Sequence, residues 1–83
     1  MDADVSAERP AIAVVHNVAS SRFEAVVEEG LCRADYRMAG DVMRIVHTEV
    51  PRKLEGRGVA GQVVRGALDY ARANGLKVAP VCS

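Results

Sequence analysis

Aromatic side chains are scarce in this sequence: 83 residues hold no tryptophan, one phenylalanine and two tyrosines. Any core must therefore rest on Val, Ala, Leu and Ile, close-packed but without heavy anchors. An excess of charge of one sign is missing too. Eleven Lys and Arg balance eleven Asp and Glu, and no basic run interleaves with aromatics, so a nucleic-acid partner is not expected. No apolar run approaches the ~20 residues that cross a bilayer. Residues 1–10 are charged and polar, without the basic-then-apolar order of a secretory signal, so a cytoplasmic protein with no membrane partner is expected. Cysteine is limited to Cys32 and Cys82, far apart in the chain, and thiols are expected over a disulfide. With no CxxC and no paired histidines, no metal is expected.

What is present fits one small domain with a single core, burying roughly 60–65% of the surface of its unfolded chain. Residues 1–10 read as a disordered tail closed by Pro10, which leaves residues 11–83 for the domain. Ile12, Val14 and Val15 make residues 11–16 a first strand, and Asn17 opens a polar turn. Residues 22–28 alternate in part, with Phe23, Ala25 and Val27 on one side, although propensity leaves a helix open. Gly30 suggests a hairpin into a strand over residues 31–38. The Ala39-Gly40-Asp41 turn leads to residues 42–50, apolar on both faces like a central strand. After a glycine-rich loop, Val59, Val63, Ala67, Leu68 and Ala71 repeat at helical spacing opposite Gln62, Arg65, Asp69 and Arg72. Gly61 and Gly66 each cost that helix ~1 kcal/mol relative to Ala, and Asn74-Gly75 stops it. Residues 76–81 then return as a strand parallel to residues 42–50. The expected fold is α+β: an antiparallel meander of four strands, one main helix, and a fifth strand parallel to the fourth.

A strand feeding a glycine turn and a helix makes an anion site, because the first helical amides lack intrahelical partners and carry a partial positive charge. Gly56, Gly58 and Gly61 spell G-x-G-x-x-G, the dinucleotide fingerprint. Five residues separate the first glycine from the strand, however, and no acidic residue ends the next strand, so a dinucleotide fold is disfavoured. A P-loop is excluded, since no Gly-Lys-Ser/Thr follows.

Glu55-Gly56-Arg57-Gly58-Val59-Ala60 instead resembles the acyl-CoA loop Gln/Arg-x-x-Gly-x-Gly/Ala of the GCN5-related N-acetyltransferases (GNAT), matching at Gly58 and Ala60 and departing at Glu55. The longer phrase His47-Thr48-Glu49-Val50-Pro51, Leu54 to Ala60, Gly75-Leu76-Lys77-Val78 and Pro80-Val81-Cys82-Ser83 is similar to the small, stand-alone members of that family, over roughly residues 12–83. The resemblance implies acetyl-CoA as co-substrate. It implies a pantetheine arm between the two parallel strands where they splay, and a thioester carbonyl polarised by the backbone amide of Val50. It marks Cys82 as a candidate active-site residue. Relatives usually carry another helix after the matching part and often draw a general-acid tyrosine from it, and the resemblance assigns that role to neither Tyr36 nor Tyr70.

Acetyl transfer to an amine needs a held pyrophosphate, a polarised carbonyl and a base. Gly56, Arg57, Gly58, Val59, Ala60 and Gly61 serve the first, with the Arg57 guanidinium available for neutralisation. His47 and Glu49 alternate onto one strand face, and imidazole suits proton removal from an ammonium. Against this stand a structural histidine and a solvated strand-end charge. Cys82 is an acyl-accepting nucleophile, a lining of the acyl path, or a small buried hydrophobe. Tyr36 and Tyr70 are expected to pack with exposed hydroxyls, and His16 and Cys32 to be structural. The expected activity is acetyl-CoA-dependent N-acetylation of a small-molecule or protein amine. A CoA-binding module with little turnover is the alternative, and a scaffold domain the third reading.

Overall fold

Alternation is clearest in β3 (Gly30–Ala39), where Cys32, Ala34 and Tyr36 are buried and Arg33 and Asp35 between them are not. Such a period of two gives a strand with one face in the core and one outside. The computed structural model describes residues 12–81. The expected tail, residues 1–10, and Cys82 lie outside the described residues. Around β3 the sheet is built from β1 (Val15–Asn17), β2 (Arg22–Val27), β4 (Val42–Glu49) and β5 (Lys77–Pro80), in the order β1-β2-β3-β4-β5. The first four pair antiparallel and β5 runs parallel to β4. Between β4 and β5 come a 3-10 turn (Arg52–Leu54) and the one α-helix of the described residues, α1 (Val59–Ala73). This is the expected α+β architecture.

The core lies between α1 and one face of the sheet. Phe23, Ala25, Cys32, Ala34, Tyr36, Met43 and Ile45 meet Val59, Val63, Ala67 and Ala71, with Leu54 closing one end. Full burial of Val59 and Val63 contributes roughly 1.5–3 kcal/mol each, which offsets the two glycines inside the helix. Gly75, at φ 68°, ends α1. Leu76 N–H then donates to Ala71 O at 2.8 Å and turns the chain into β5.

Several expectations change. β1 begins at Val15, not at residue 11, because Ile12 and Val14 pack on the core instead of pairing. Residues 22–27 are strand and not helix, since Phe23 and Ala25 both point into the core. Leu68 is off the buried stripe, at 39% exposed. One residue beyond Ala67 it is turned about 100° from the sheet. Tyr36 is buried, and its hydroxyl lies 2.6 Å from His16 Nε2 instead of reaching solvent.

β4 also departs from a strand buried on both sides: Met43 and Ile45 are buried, whereas Arg44, His47 and Glu49 are exposed. Its register against β3 shifts once. Tyr36 pairs with Ile45, and Asp35 with His47, so Val46 is an extra residue, a β-bulge. Strict alternation would put residues 43, 45, 47 and 49 under the helix. The bulge moves His47 and Glu49 to the opposite, open face.

Candidate functional site

The approach to α1 is shaped by Gly58, which caps the helix at φ 78°, ψ 10°, a left-handed conformation that suits glycine. No side chain caps this end and its first turn holds no acidic residue. The first helical bond runs from Gln62 N–H to Gly58 O at 3.2 Å. Helix geometry therefore leaves the Val59, Ala60 and Gly61 amides without intrahelical acceptors. Beside them opens a cleft of about 460 Å³ lined by Ile12, Val14, Gly58, Gly61, Gln62 and Arg65. A Cβ on Gly61 would meet nothing within 4 Å. An anion can thus approach the backbone closely, with Arg65 nearby although paired with Asp69 at 3.6 Å, and the main-chain donors present suit a diphosphate.

The end of β4 supplies the second part. β5 pairs with β4 only over residues 42–45, and the last bond runs from Val81 N–H to Ile45 O at 2.9 Å. No β5 partner among the described residues follows β4 past the bulge. On the open face His47 Nε2 lies 3.3 Å from Glu49 Oε1, so the two come together as alternation implied. A carboxylate only accepts, so Nε2–H donates in this contact and the Nδ1 lone pair of the neutral ring is left over. Glu49 and Val50 line a cleft of about 390 Å³ together with Glu29, Gly30, Leu31, Arg33 and Pro51. The Val50 side chain is partly buried against the core.

Ionic contacts continue from Glu49 across the sheet. Arg33 Nη2 lies 3.1 Å from Glu49 Oε1 and Arg33 Nε 3.8 Å from Asp35 Oδ2. Arg22 Nε lies 3.5 Å from Asp35 Oδ1 and Arg22 Nη1 3.7 Å from Glu24 Oε1. Asn17 Nδ2 donates to Glu24 Oε2 at 3.2 Å. One polar ladder thus links β1 to the His47–Glu49 pair.

A family model described as GCN5-related N-acetyl-transferase matches residues 22–83, well over half of the chain. The chain belongs to the GCN5-related N-acetyltransferase family. The match begins with the first residue of β2 and takes in the loop before α1, the His47–Glu49 pair and Val50.

Within this GCN5-related N-acetyltransferase, Gly56, Arg57, Gly58, Val59, Ala60 and Gly61 form the loop and first turn as expected, at the other end of the Arg52–Leu54 turn from Val50. Cys82 lies outside the described residues. Cys32 is fully buried. Burial pushes its thiol above the ordinary value, with the Glu29 carboxylate adding to it, so Cys32 is a poor nucleophile. His16 stacks on Phe23 with ring centroids 4.1 Å apart and meets Tyr70 edge-on at 4.4 Å. Burial lowers its pKa. It is a packing residue remote in sequence from the loop. Among the described residues no group of three or more His, Cys, Asp or Glu is placed to hold a metal, and no helix is long and apolar enough to cross a membrane.

Sequence reasoning missed Arg33, Asp35 and Arg22 as neighbours of the pair, and it read Gln62 and Arg65 only as a polar helix face. The charges of β3 alternate with Cys32, Ala34 and Tyr36, which marks an open polar face. Their link to His47 depends on a bulge that periodicity does not encode.

Proposed function

We propose that this GCN5-related N-acetyltransferase uses acetyl-CoA to acetylate a primary amine. The uncapped start of α1, open to a cleft lined by Gly58, Gly61 and Arg65, is the observation that carries this reading. Acetyl-CoA supplies an activated acetyl group as a thioester. The amides of Val59, Ala60 and Gly61 bind its diphosphate through main-chain donors, and Arg57 and Arg65 offset the negative charge. Beyond Ile45 the β5 side of β4 has no strand partner among the described residues, and the pantetheine arm lies along that edge. Val50 N–H donates to the carbonyl oxygen, where negative charge develops on attack.

His47 acts on the acceptor. With Nε2–H held by Glu49, Nδ1 takes a proton from the ammonium and leaves a neutral amine to attack the carbonyl carbon. The C–S bond then breaks, CoA leaves as a thiolate that takes up the second amine proton, and the proton on His47 passes to solvent. Glu49 keeps the ring oriented toward the acceptor as it takes up the proton. Cys82 either takes the acyl group first as a thiolate or lines the acyl path.

The test has two arms. Isothermal titration with CoA gives binding that Gly58→Trp abolishes, whereas no binding would return the chain to a scaffold role. Radiolabelled acetyl transfer to butylamine, spermidine, lysine amide and a peptide amino terminus then gives product with at least one acceptor. Tight CoA binding without product would favour a CoA-binding module over an enzyme.

A further inference from the structure

The carboxylate beside His47 is shared. Glu49 Oε1 is 3.3 Å from His47 Nε2 and 3.1 Å from Arg33 Nη2. We propose that Arg33 is a positioning residue for acetyl transfer: it holds Glu49 so that this oxygen fixes the plane and tautomer of the His47 ring. The inference rests on His47 being the base.

Cross-strand register makes this contact. Arg33 pairs with Glu49 and Asp35 with His47, so on the open face each β3 charge stands directly opposite a member of the pair. Without the bulge at Val46, His47 and Glu49 would sit on the α1 side and Arg33 would have no carboxylate across the strand. Arg33 also stands at ion-pair distance from Asp35 on its own strand, without a hydrogen bond between them. Its Nε lies 3.8 Å from Asp35 Oδ2, and the other Asp35 oxygen is 3.5 Å from Arg22 Nε. Exposure falls along the ladder: the side chain of Glu49 is 58% exposed, those of Arg33 and Asp35 29% and 26%. The outermost carboxylate is the one with freedom to leave, and Arg33 is the less mobile group that restrains it.

A purely stabilising role does not account for the arrangement. The Arg33–Glu49 pair contributes little to stability, because solvent screens it at the exposed Glu49 end and two long side chains lose entropy. Holding one ring nitrogen as N–H has a larger consequence, since only the opposite nitrogen then offers a lone pair to the acceptor. With Arg33 removed, Glu49 turns into solvent and the imidazole exchanges between its two tautomers. The fraction of molecules with a correctly placed Nδ1 falls, which lowers kcat and leaves the binding of both substrates alone.

Imidazole ¹⁵N spectra of the wild-type protein, with no substrate added and at mildly alkaline pH, test this first. Distinct Nε2–H and unprotonated Nδ1 signals are expected for His47, and in Arg33→Gln the two move toward a common averaged position. Averaged signals already in the wild type, or unchanged ones in Arg33→Gln, would overturn the inference. Kinetics with acetyl-CoA and the fastest acceptor of the amine panel give the second readout. Arg33→Gln should lower kcat roughly tenfold with KM little changed, and Arg33→Lys should recover part of the loss. In a Glu49→Gln background the same substitution should change kcat by less than about twofold, because Arg33 acts through Glu49. An equal loss in both backgrounds contradicts the proposal. His47→Ala separates it from the reading beneath: full turnover there removes the base and this inference together, whereas loss in His47→Ala with an unaffected Arg33→Gln removes this inference alone.

Discussion

Gly66 and Val14 approach so closely that a Cβ on Gly66 would stand 2.8 Å from Val14 Cγ1. The segment before β1 thus crosses α1 at a residue without a side chain, and Phe23 Cδ2 lies 3.9 Å from the same point. Gly66→Ala gains ~1 kcal/mol of helix propensity. It loses more to overpacking, which costs roughly 1–3 kcal/mol against a stiff β-branched neighbour. A lower melting temperature is expected in thermal unfolding, and a rise would contradict the packing.

Gly61 makes the opposite case in the same helix. A Cβ there meets nothing within 4 Å, so Gly61→Ala should raise stability by up to ~1 kcal/mol, a shift of roughly 4–8 °C in a domain of this size. It should also weaken CoA binding in calorimetry, because the added methyl stands in the cleft beside the helix start. Gained stability with unaltered affinity would separate the cleft from the cofactor.

His16 gives the fold a pH dependence. Burial holds its folded-state pKa below the ordinary value of 6.5. Above that value the ring is neutral in both states and stability is undiminished. As pH falls from 6.5 toward the folded-state pKa, the unfolded chain takes up a proton that the native one does not, and stability is lost. Urea unfolding at about pH 7.5 and pH 5.5 should show a larger loss in wild type than in His16→Asn. Equal losses would mean that His16 titrates alike in both states.

Cys32 should be silent to thiol reagents in the folded protein. Its thiol is fully buried and its ionisation is suppressed by burial and by Glu29. Iodoacetamide should therefore alkylate Cys32 only after unfolding. Intact mass after incubation with acetyl-CoA should show no acetyl group in Cys82→Ala, and an adduct surviving that substitution would exclude Cys82 as its site.

Much of this architecture was legible because periodicity reports which faces are buried. Cys32, Ala34 and Tyr36 define β3, Val59, Val63, Ala67 and Ala71 define the inner stripe of α1, and Asn74-Gly75 marks its stop. The first strand was misplaced because Ile12 and Val14 are apolar for packing on the core and not for pairing. The buried hydroxyl of Tyr36 is not legible in the sequence, because its partner His16 lies twenty residues earlier and gives no local signal. Spacing alone brought His47 and Glu49 together, since residues two apart share a face whichever face it is. Which face, and so the presence of Arg33 beside them, rests on one unpaired residue, Val46, and on a register that only the folded sheet fixes.

The most direct test is a titration of the ¹⁵N-labelled protein with CoA, followed in amide spectra. The largest and saturable shifts are expected at Gly58, Val59, Ala60 and Gly61. Saturable binding that leaves those four amides unmoved would contradict the assignment of the α1 amino terminus as the diphosphate site.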